Sequence, residues 1–171
     1  ARRYGAHPSV IGWHLDNEYG DEPDCHCEIC RRRWQQWLGD RYGTIEALNE
    51  RWGTVFWGLE FDAFEQVPTP RVTKTYHHPA LLLNWRRFRS DCTVEMVKQH
   101  ADVIRRHSRL PVTTNLQNLW NDRTDYLELR PALDHVGMSY YPPFGRPWHA
   151  ASMGMALMRT CSRPGRTFDI H

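Results

Sequence analysis

Val10-Ile11-Gly12-Trp13-His14-Leu15-Asp16-Asn17-Glu18-Tyr19-Gly20 is an apolar run that stops at Asn-Glu and is closed by a glycine. A parallel strand covered on both faces reads as a nearly continuous hydrophobic run. An acid placed where such a strand ends stands at the mouth of a site built from the loops beyond it. Glu18 holds that place. An ordinary strand end carrying a solvated glutamate leaves the same dipeptide, so the rest of the chain has to decide between the two.

Composition sets the outer limits. The chain has 171 residues, 40% hydrophobic and 25% charged, the balance of a globular protein with a sizeable core, and one domain is the expectation. Its 22 Lys and Arg against 20 acidic residues leave a formal charge of +2, which gives no basic footprint for nucleic acid. Arg31-Arg32-Arg33 and Arg86-Arg87 sit in helical patterns beside Trp or Phe and read as solvated helix faces. With no long apolar span and no secretory h-region, no membrane partner is expected and the cytoplasm is the expected location. The first residue is Ala1, as if the sequence began in mid-domain, so a signal peptide stays an open question.

Strand patterns fall at residues 9–17, 111–115, 134–141 and 166–171. Between the first two, Trp85, Phe88, Cys92, Met96 and Val103 form one helical stripe that Val97, Ala101 and Ile104 widen. His107-Ser108-Arg109-Leu110-Pro111 breaks that helix. A second connection covers residues 122–132, and a third helix over 149–161 ends at the turn signal Ser162-Arg163-Pro164-Gly165. Strands alternating with helices at this spacing predict a parallel α/β sheet. The irregular stretch 66–71 has apolar residues on both sides, which argues against an interdomain linker.

Tyr42-Gly43-Thr44-Ile45-Glu46-Ala47-Leu48-Asn49-Glu50-Arg51-Trp52-Gly53-Thr54-Val55-Phe56-Trp57 predicts a short helix. Thr44 is the N-cap, Ile45, Leu48 and Trp52 share one face, and Gly53 stops the turn. The order of Gly-Thr, Leu-Asn, Trp-Gly-Thr and Phe-Trp downstream of Asn-Glu resembles the family 42 β-galactosidases among the retaining glycoside hydrolases. In that family the fourth barrel strand ends in Asn-Glu, and His7-Pro8 fits the approach to it. The resemblance implies a partial (β/α)₈ TIM barrel, roughly strands four to seven, with an inserted helical and cysteine-containing segment after strand four. Residues 1–171 would then be a fragment of one catalytic domain. A complete barrel takes about 250 residues, so the fragment is expected to be inactive by itself.

Cys25-His26-Cys27-Glu28-Ile29-Cys30 gathers three thiols within six residues, a donor set that suits zinc. A tetrahedral site needs a fourth ligand, which family members with this cluster take from a cysteine upstream of the acid/base strand. His26 could serve only if its backbone allowed it. The alternative is three reduced, unliganded thiols opening the helix of Cys30, Trp34, Trp37 and Leu38. A zinc ion on Cys25, Cys27 and Cys30 would be structural, since a catalytic one keeps an open position for water. Cys92 and Cys161 read as small core residues, and no disulfide framework is expected.

The resemblance assigns Glu18 the role of general acid/base in hydrolysis of terminal β-D-galactosides. Retaining enzymes pair that acid with a nucleophilic carboxylate about 5–5.5 Å away. In the family the nucleophile ends strand seven; Pro164-Gly165-Arg166-Thr167-Phe168-Asp169-Ile170-His171 resembles the approach to it, which places it just beyond His171. Asp169 is not nominated. Asn17 would bind the sugar 2-hydroxyl, its amide able to donate and accept. Met138-Ser139-Tyr140-Tyr141-Pro142 resembles strand six, where Tyr141 would bond the nucleophile and Ser139 replaces an acidic residue. Asn115 is either a sugar contact at the rim or a strand-end turn former. Trp57, Trp120 and Trp148 are the aromatic rim candidates, whereas Trp34, Trp37, Trp52 and Trp85 follow helix periodicity. The implied substrate is a β-galactoside and the implied assembly of the whole protein a homotrimer. No organic cofactor is expected. The rival readings are a zinc-stabilised interaction module and a catalytically degenerate barrel relative, the latter prompted by Ser139 and by His14 where Gln is expected.

Overall fold

A computed structural model describes residues 1–117, 122–141, 149–162 and 169–170, with backbone alone for Ala150, Asp169 and Ile170. The chain divides into two compact units, one of residues 1–22 with 89–171 and the other of residues 23–88.

The first unit is a parallel sheet with helical connections. Its strand elements are β1 (Trp13–His14), β2 (Val112–Thr113), β3 (Asn115–Leu116), β4 (Gly137–Met138) and β5 (Asp169–Ile170). All pairings are parallel: Trp13 faces Val112, Asn115 faces Gly137, and Gly137 faces Asp169. β2 and β3 are two halves of one strand. The carbonyls of Pro111 and Thr113 accept from Trp13 and Leu15 on one side, while those of Thr114 and Leu116 accept from Gly137 and Ser139 on the other. Spatial order therefore follows chain order, the pattern produced by successive crossover connections.

These strands are shorter than the apolar runs predict. Residues 9–12 precede the ladder, whose first bond joins the Trp13 N–H to the Pro111 carbonyl, and Ile11 is 88% exposed. The cause lies in the partner segment. The helix before β2 ends at Arg105, and residues 106–111 are spent on the turn that leads into the strand.

That helix, α3 (Pro79–Arg105), is continuous across the boundary between the units. In the first unit its buried face is Val94, Val97 and Ala101, with Ile104 packed beside them. Met96 and Val103 lie outside this face, 37% and 51% exposed, contrary to the predicted stripe. At about 100° per residue Met96 and Val103 do fall within about 20° of Trp85, but the face buried in this unit, carrying Val94, Val97, Ala101 and Ile104, lies about 100–180° round the helix from it. Cys92 is only half-buried, whereas Cys161 is fully buried. The core around α3 also takes Leu15, Tyr19, Val112, Leu116, Leu129, Leu133, Val136, Met138 and Met158.

The two other connections match their predicted positions. The first holds α4 (Tyr126–Leu129), capped by the Asp125 carboxylate, which accepts from the Leu127 N–H. The second holds α5 (His149–Cys161). Arg163, Pro164 and Gly165, the rest of the turn signal after it, lie outside the described residues, as do residues 166–168 and His171 of the fourth strand pattern.

The second unit contains α1 (Glu28–Tyr42), α2 (Ile45–Trp52) and the first turns of α3. Thr44 caps α2 by accepting from the Ala47 N–H, and Gly53 ends it in the left-handed conformation at φ 67°, both as the sequence predicts. An aromatic core holds the unit together. Trp34, fully buried, stacks on Trp37, meets Trp85 edge-on at 5.4 Å and donates its indole N–H to the Pro68 carbonyl. The Gln35 amide donates to the carbonyls of Glu65 and Val67, and Asn49 ties down the loop after α2 through Phe61 and Thr54. No helix among the described residues is long and apolar enough to cross a membrane.

Candidate active site

Strand geometry stops abruptly after Leu15. Its N–H is the last to bond across to β2, and its carbonyl accepts from the buried Thr114 hydroxyl at 2.6 Å. Asp16 and Glu18 then take positive φ values of 32° and 50°. A non-glycine residue held there costs on the order of 1–3 kcal/mol and persists only where its surroundings impose it. The segment beyond is fixed in turn. Tyr19, 1% exposed, bonds His100 Nδ1 on α3 at 2.8 Å. Burial pushes the Tyr19 phenol up to about 12, with Asp16 and Glu22 adding to the shift, so the hydroxyl stays neutral. Gly20 follows at φ 93°, and a Cβ there would run into the Thr124 hydroxyl.

Asn115, the first residue of β3, imposes the turn from the neighbouring strand. It is 4% exposed and its amide is fully engaged. Its Oδ1 accepts from the Glu18 N–H at 3.3 Å, while its Nδ2 donates to Asn17 Oδ1 and to Ser139 Oγ, each at 2.8 Å. Three consecutive strand ends are thus joined by one side chain. Asn17 is exposed and Glu18 half-buried, and the Glu18 carboxylate has no hydrogen-bond partner among the described residues.

The structure therefore brings together Asn17, Glu18 and Asn115 of the predicted site. It adds Ser139, which the sequence marks only as a replaced acidic residue. Tyr141, two residues further along the same strand end, is 77% exposed and without a partner among the described residues. Trp57 is exposed and stacks on Phe56, whereas Trp120 and Trp148 lie outside the described residues.

In the second unit, the sulfurs of Cys25, Cys27 and Cys30 lie within 4.8 Å of one another. Thiolates around a tetrahedral zinc, with Zn–S bonds of about 2.3 Å, stand roughly 3.8 Å apart, so the three donors fit such an ion with a small contraction. The Cys30 backbone N–H in the first turn of α1, aided by the Cys25 and Cys30 thiols, holds Cys27 down to about 7, while burial pushes Cys30 up to about 12. His26 does not join the cluster. Its ring lies flat against Trp85 at 5.4 Å, with a buried Nδ1 that has no hydrogen-bond partner among the described residues.

Parallel strands joined in chain order by helices, with Asn-Glu at the C-terminal end of one of them, define part of a (β/α)₈ barrel and its rim. The chain belongs to glycoside hydrolase family 42: the model of that family, described as beta-galactosidase, matches residues 1–168. It is 35% identical over 166 residues to a beta-galactosidase of Planococcus sp. strain L4, covering 93% of this chain and 24% of that protein. The crystal structure of the beta-galactosidase of Rahnella sp. R3 superposes with a TM-score of 0.90 at 31% identity, over 100% of this chain and 26% of that one. The beta-galactosidase from Bacillus circulans sp. alkalophilus gives 0.84 at 33% identity, over 94% and 24%. The chain thus spans about a quarter of the length of these relatives.

Proposed function

We propose that the full-length protein is a retaining β-galactosidase in which Glu18 is the general acid/base and the nucleophilic glutamate follows His171 on the strand begun by β5. The observation that carries this reading is the Asn17-Glu18 pair at the C-terminal end of a parallel strand, fixed by Asn115 and with the Glu18 carboxylate left without a partner among the described residues. In the first step Glu18 gives its proton to the glycosidic oxygen as the nucleophile attacks the anomeric carbon and the leaving group departs. In the second, the Glu18 carboxylate takes a proton from the water that cleaves the glycosyl-enzyme ester, which restores both groups. Asn17 binds the 2-hydroxyl, a contact that strengthens as charge develops on the ring. Tyr141 serves the nucleophile by family resemblance.

Cys25, Cys27 and Cys30 would hold a structural zinc ion whose fourth ligand comes from upstream of Ala1. When bound, the ion cross-links the segment before α1 and supplies no step of the reaction. The whole enzyme is read as a homotrimer.

The test is Glu18→Gln in the full-length protein. Loss of the proton donor lowers hydrolysis by roughly two to four orders of magnitude, and by less for aryl galactosides whose leaving groups need no protonation. Unchanged rates on both substrate types would overturn the assignment.

A further inference from the structure

We infer that Asn115 is a positioning residue for the proposed reaction, one that decides which end of the Asn17 amide meets the substrate. The inference rests on the acid/base reading of Glu18. It begins with a donor whose identity is not open to choice: the Glu18 backbone N–H can only donate, so the Asn115 atom that faces it is the amide oxygen. The other end of Asn115 is therefore the NH₂ group, and its two hydrogens go to Asn17 and Ser139. Both receiving atoms are then acceptors. Asn17 must turn its Oδ1 toward Asn115, which leaves its own NH₂ as the end without a protein partner among the described residues.

The consequence is chemical. Asn17 meets a sugar hydroxyl as a donor, through hydrogens whose polarity is set by a neighbour 98 positions away in the chain. Ser139, which accepts the second Asn115 hydrogen, completes this polarity; an apolar residue there would leave a buried N–H unpaired. Asn115 itself has no hydrogen left to offer a ligand, and at 4% exposure it is screened from one. The inferred role differs from a direct sugar contact and from a local turn former: Asn115 acts on substrate through Asn17.

The experiment uses the full-length enzyme and four variants, Asn115→Asp, Asn17→Ala, their double and Glu18→Gln, with nitrophenyl β-galactoside at the pH plateau of each. Asn115→Asp keeps the size and the acceptor for the Glu18 N–H but removes both donors, so the Asn17 amide is driven to reverse. The expected result is a 10–100-fold fall in kcat with a smaller change in KM. In the Asn17→Ala background, where there is no amide to orient, the same substitution costs less than about threefold. Near-ultraviolet circular dichroism checks that each variant is folded; should the Asp variant not fold, Asn115→Ala, which also releases the Glu18 N–H and so costs activity in both backgrounds, carries the cycle, with a smaller loss expected in the Asn17→Ala background. Equal losses in both backgrounds, or a kcat within threefold of the parent for Asn115→Asp, overturn the positioning role. If Glu18→Gln is as active as the parent on an alkyl β-galactoside as well as on the nitrophenyl substrate, the acid/base reading has failed and this inference falls with it. If Glu18→Gln is inactive while the cycle is additive, only the inference falls.

Discussion

Gly20 lies two residues past Glu18, where the effect of adding a single methyl group can be worked out from the geometry. Its φ of 93° lies where L-residues are strained, and a Cβ built on it meets the hydroxyl of Thr124, a residue only 7% exposed. For Gly20→Ala the backbone contributes about 1–2 kcal/mol, and forcing a methyl group into a filled site contributes about 1–3 kcal/mol. The expected destabilisation is therefore roughly 2–5 kcal/mol, additivity assumed. The two parts can be separated. The Thr124 hydroxyl has no hydrogen-bond partner among the described residues, and the Thr124 Cβ lies at an ordinary 3.7 Å from the added methyl. Thr124→Ala removes the clashing hydroxyl together with the γ-methyl group, at a cost by itself of about 1 kcal/mol for the lost buried group. In the double variant the backbone strain and that cost should remain while the collision is gone. Urea unfolding of the full-length protein, followed by tryptophan fluorescence, should show the double variant equal to or more stable than Gly20→Ala. If the two substitutions simply add, the collision does not exist and the geometry assigned to the loop after Glu18 is wrong.

Thr44→Ala should cost about 1 kcal/mol through loss of the α2 cap, read as faster hydrogen exchange in the first turn of that helix. Trp34→Ala, which empties a fully buried site, should cost about 3–5 kcal/mol and abolish the cooperative unfolding of the second unit, as limited proteolysis would report. Elemental analysis of the full-length protein should find zinc, absent from a Cys25, Cys27 and Cys30 triple serine variant; a metal-free, fully folded parent would refute the proposed site. The Glu28 carboxyl is held down to about 2 by its hydrogen bonds to Arg31 and Arg32. Its folded value is depressed, so whatever it adds to stability is present above the ordinary 4.5 and lost as pH falls toward 2. Because the group is fully exposed, Glu28→Gln at neutral pH should shift the urea midpoint little, and less in high salt, whereas a large salt-independent shift would contradict this.

What the sequence disclosed follows from the range of the forces involved. Thr44, Gly53 and Asp125 act within a turn of the residues they cap, and their roles could be read locally. The helix over 149–161 was legible for the same reason. Strand lengths were not, because the extent of a ladder depends on where its partner begins. Residues 9–12 are as apolar as a strand requires, yet the turn before β2 leaves them unpaired there. At the site, Glu18 and Asn17 announce themselves as a motif, while the bonds that orient them come from residues 98 and 24 positions away from one another along the chain. One signal was present. Asn115 and Ser139 both stand where an apolar β pattern ends, and polar residues at neighbouring strand ends are candidates to bond each other.

The broken strand at Asp16 to Glu18 has a reason in the periodicity of the backbone. Along an unbroken strand consecutive side chains point to opposite faces, so a binding amide and a proton donor placed at adjacent positions would be separated by the sheet itself. A hydrolase that binds a sugar hydroxyl with one and protonates the neighbouring glycosidic oxygen with the other needs both on the side of the substrate. Two residues with positive φ, flanking Asn17, interrupt the alternation within three positions. Glycine would take those angles at lower cost, but glycine at position 18 would remove the acid. The strain must then be held from outside the turn, and a single asparagine on the next strand holds it by bonding the Asn17 side chain and the Glu18 backbone together. The conformation of the proposed acid and the polarity of the amide then rest on one side chain: Asn115→Ala, which removes both bonds, should disturb both, whereas Asn115→Asp, which keeps the acceptor for the Glu18 N–H, should disturb the amide alone.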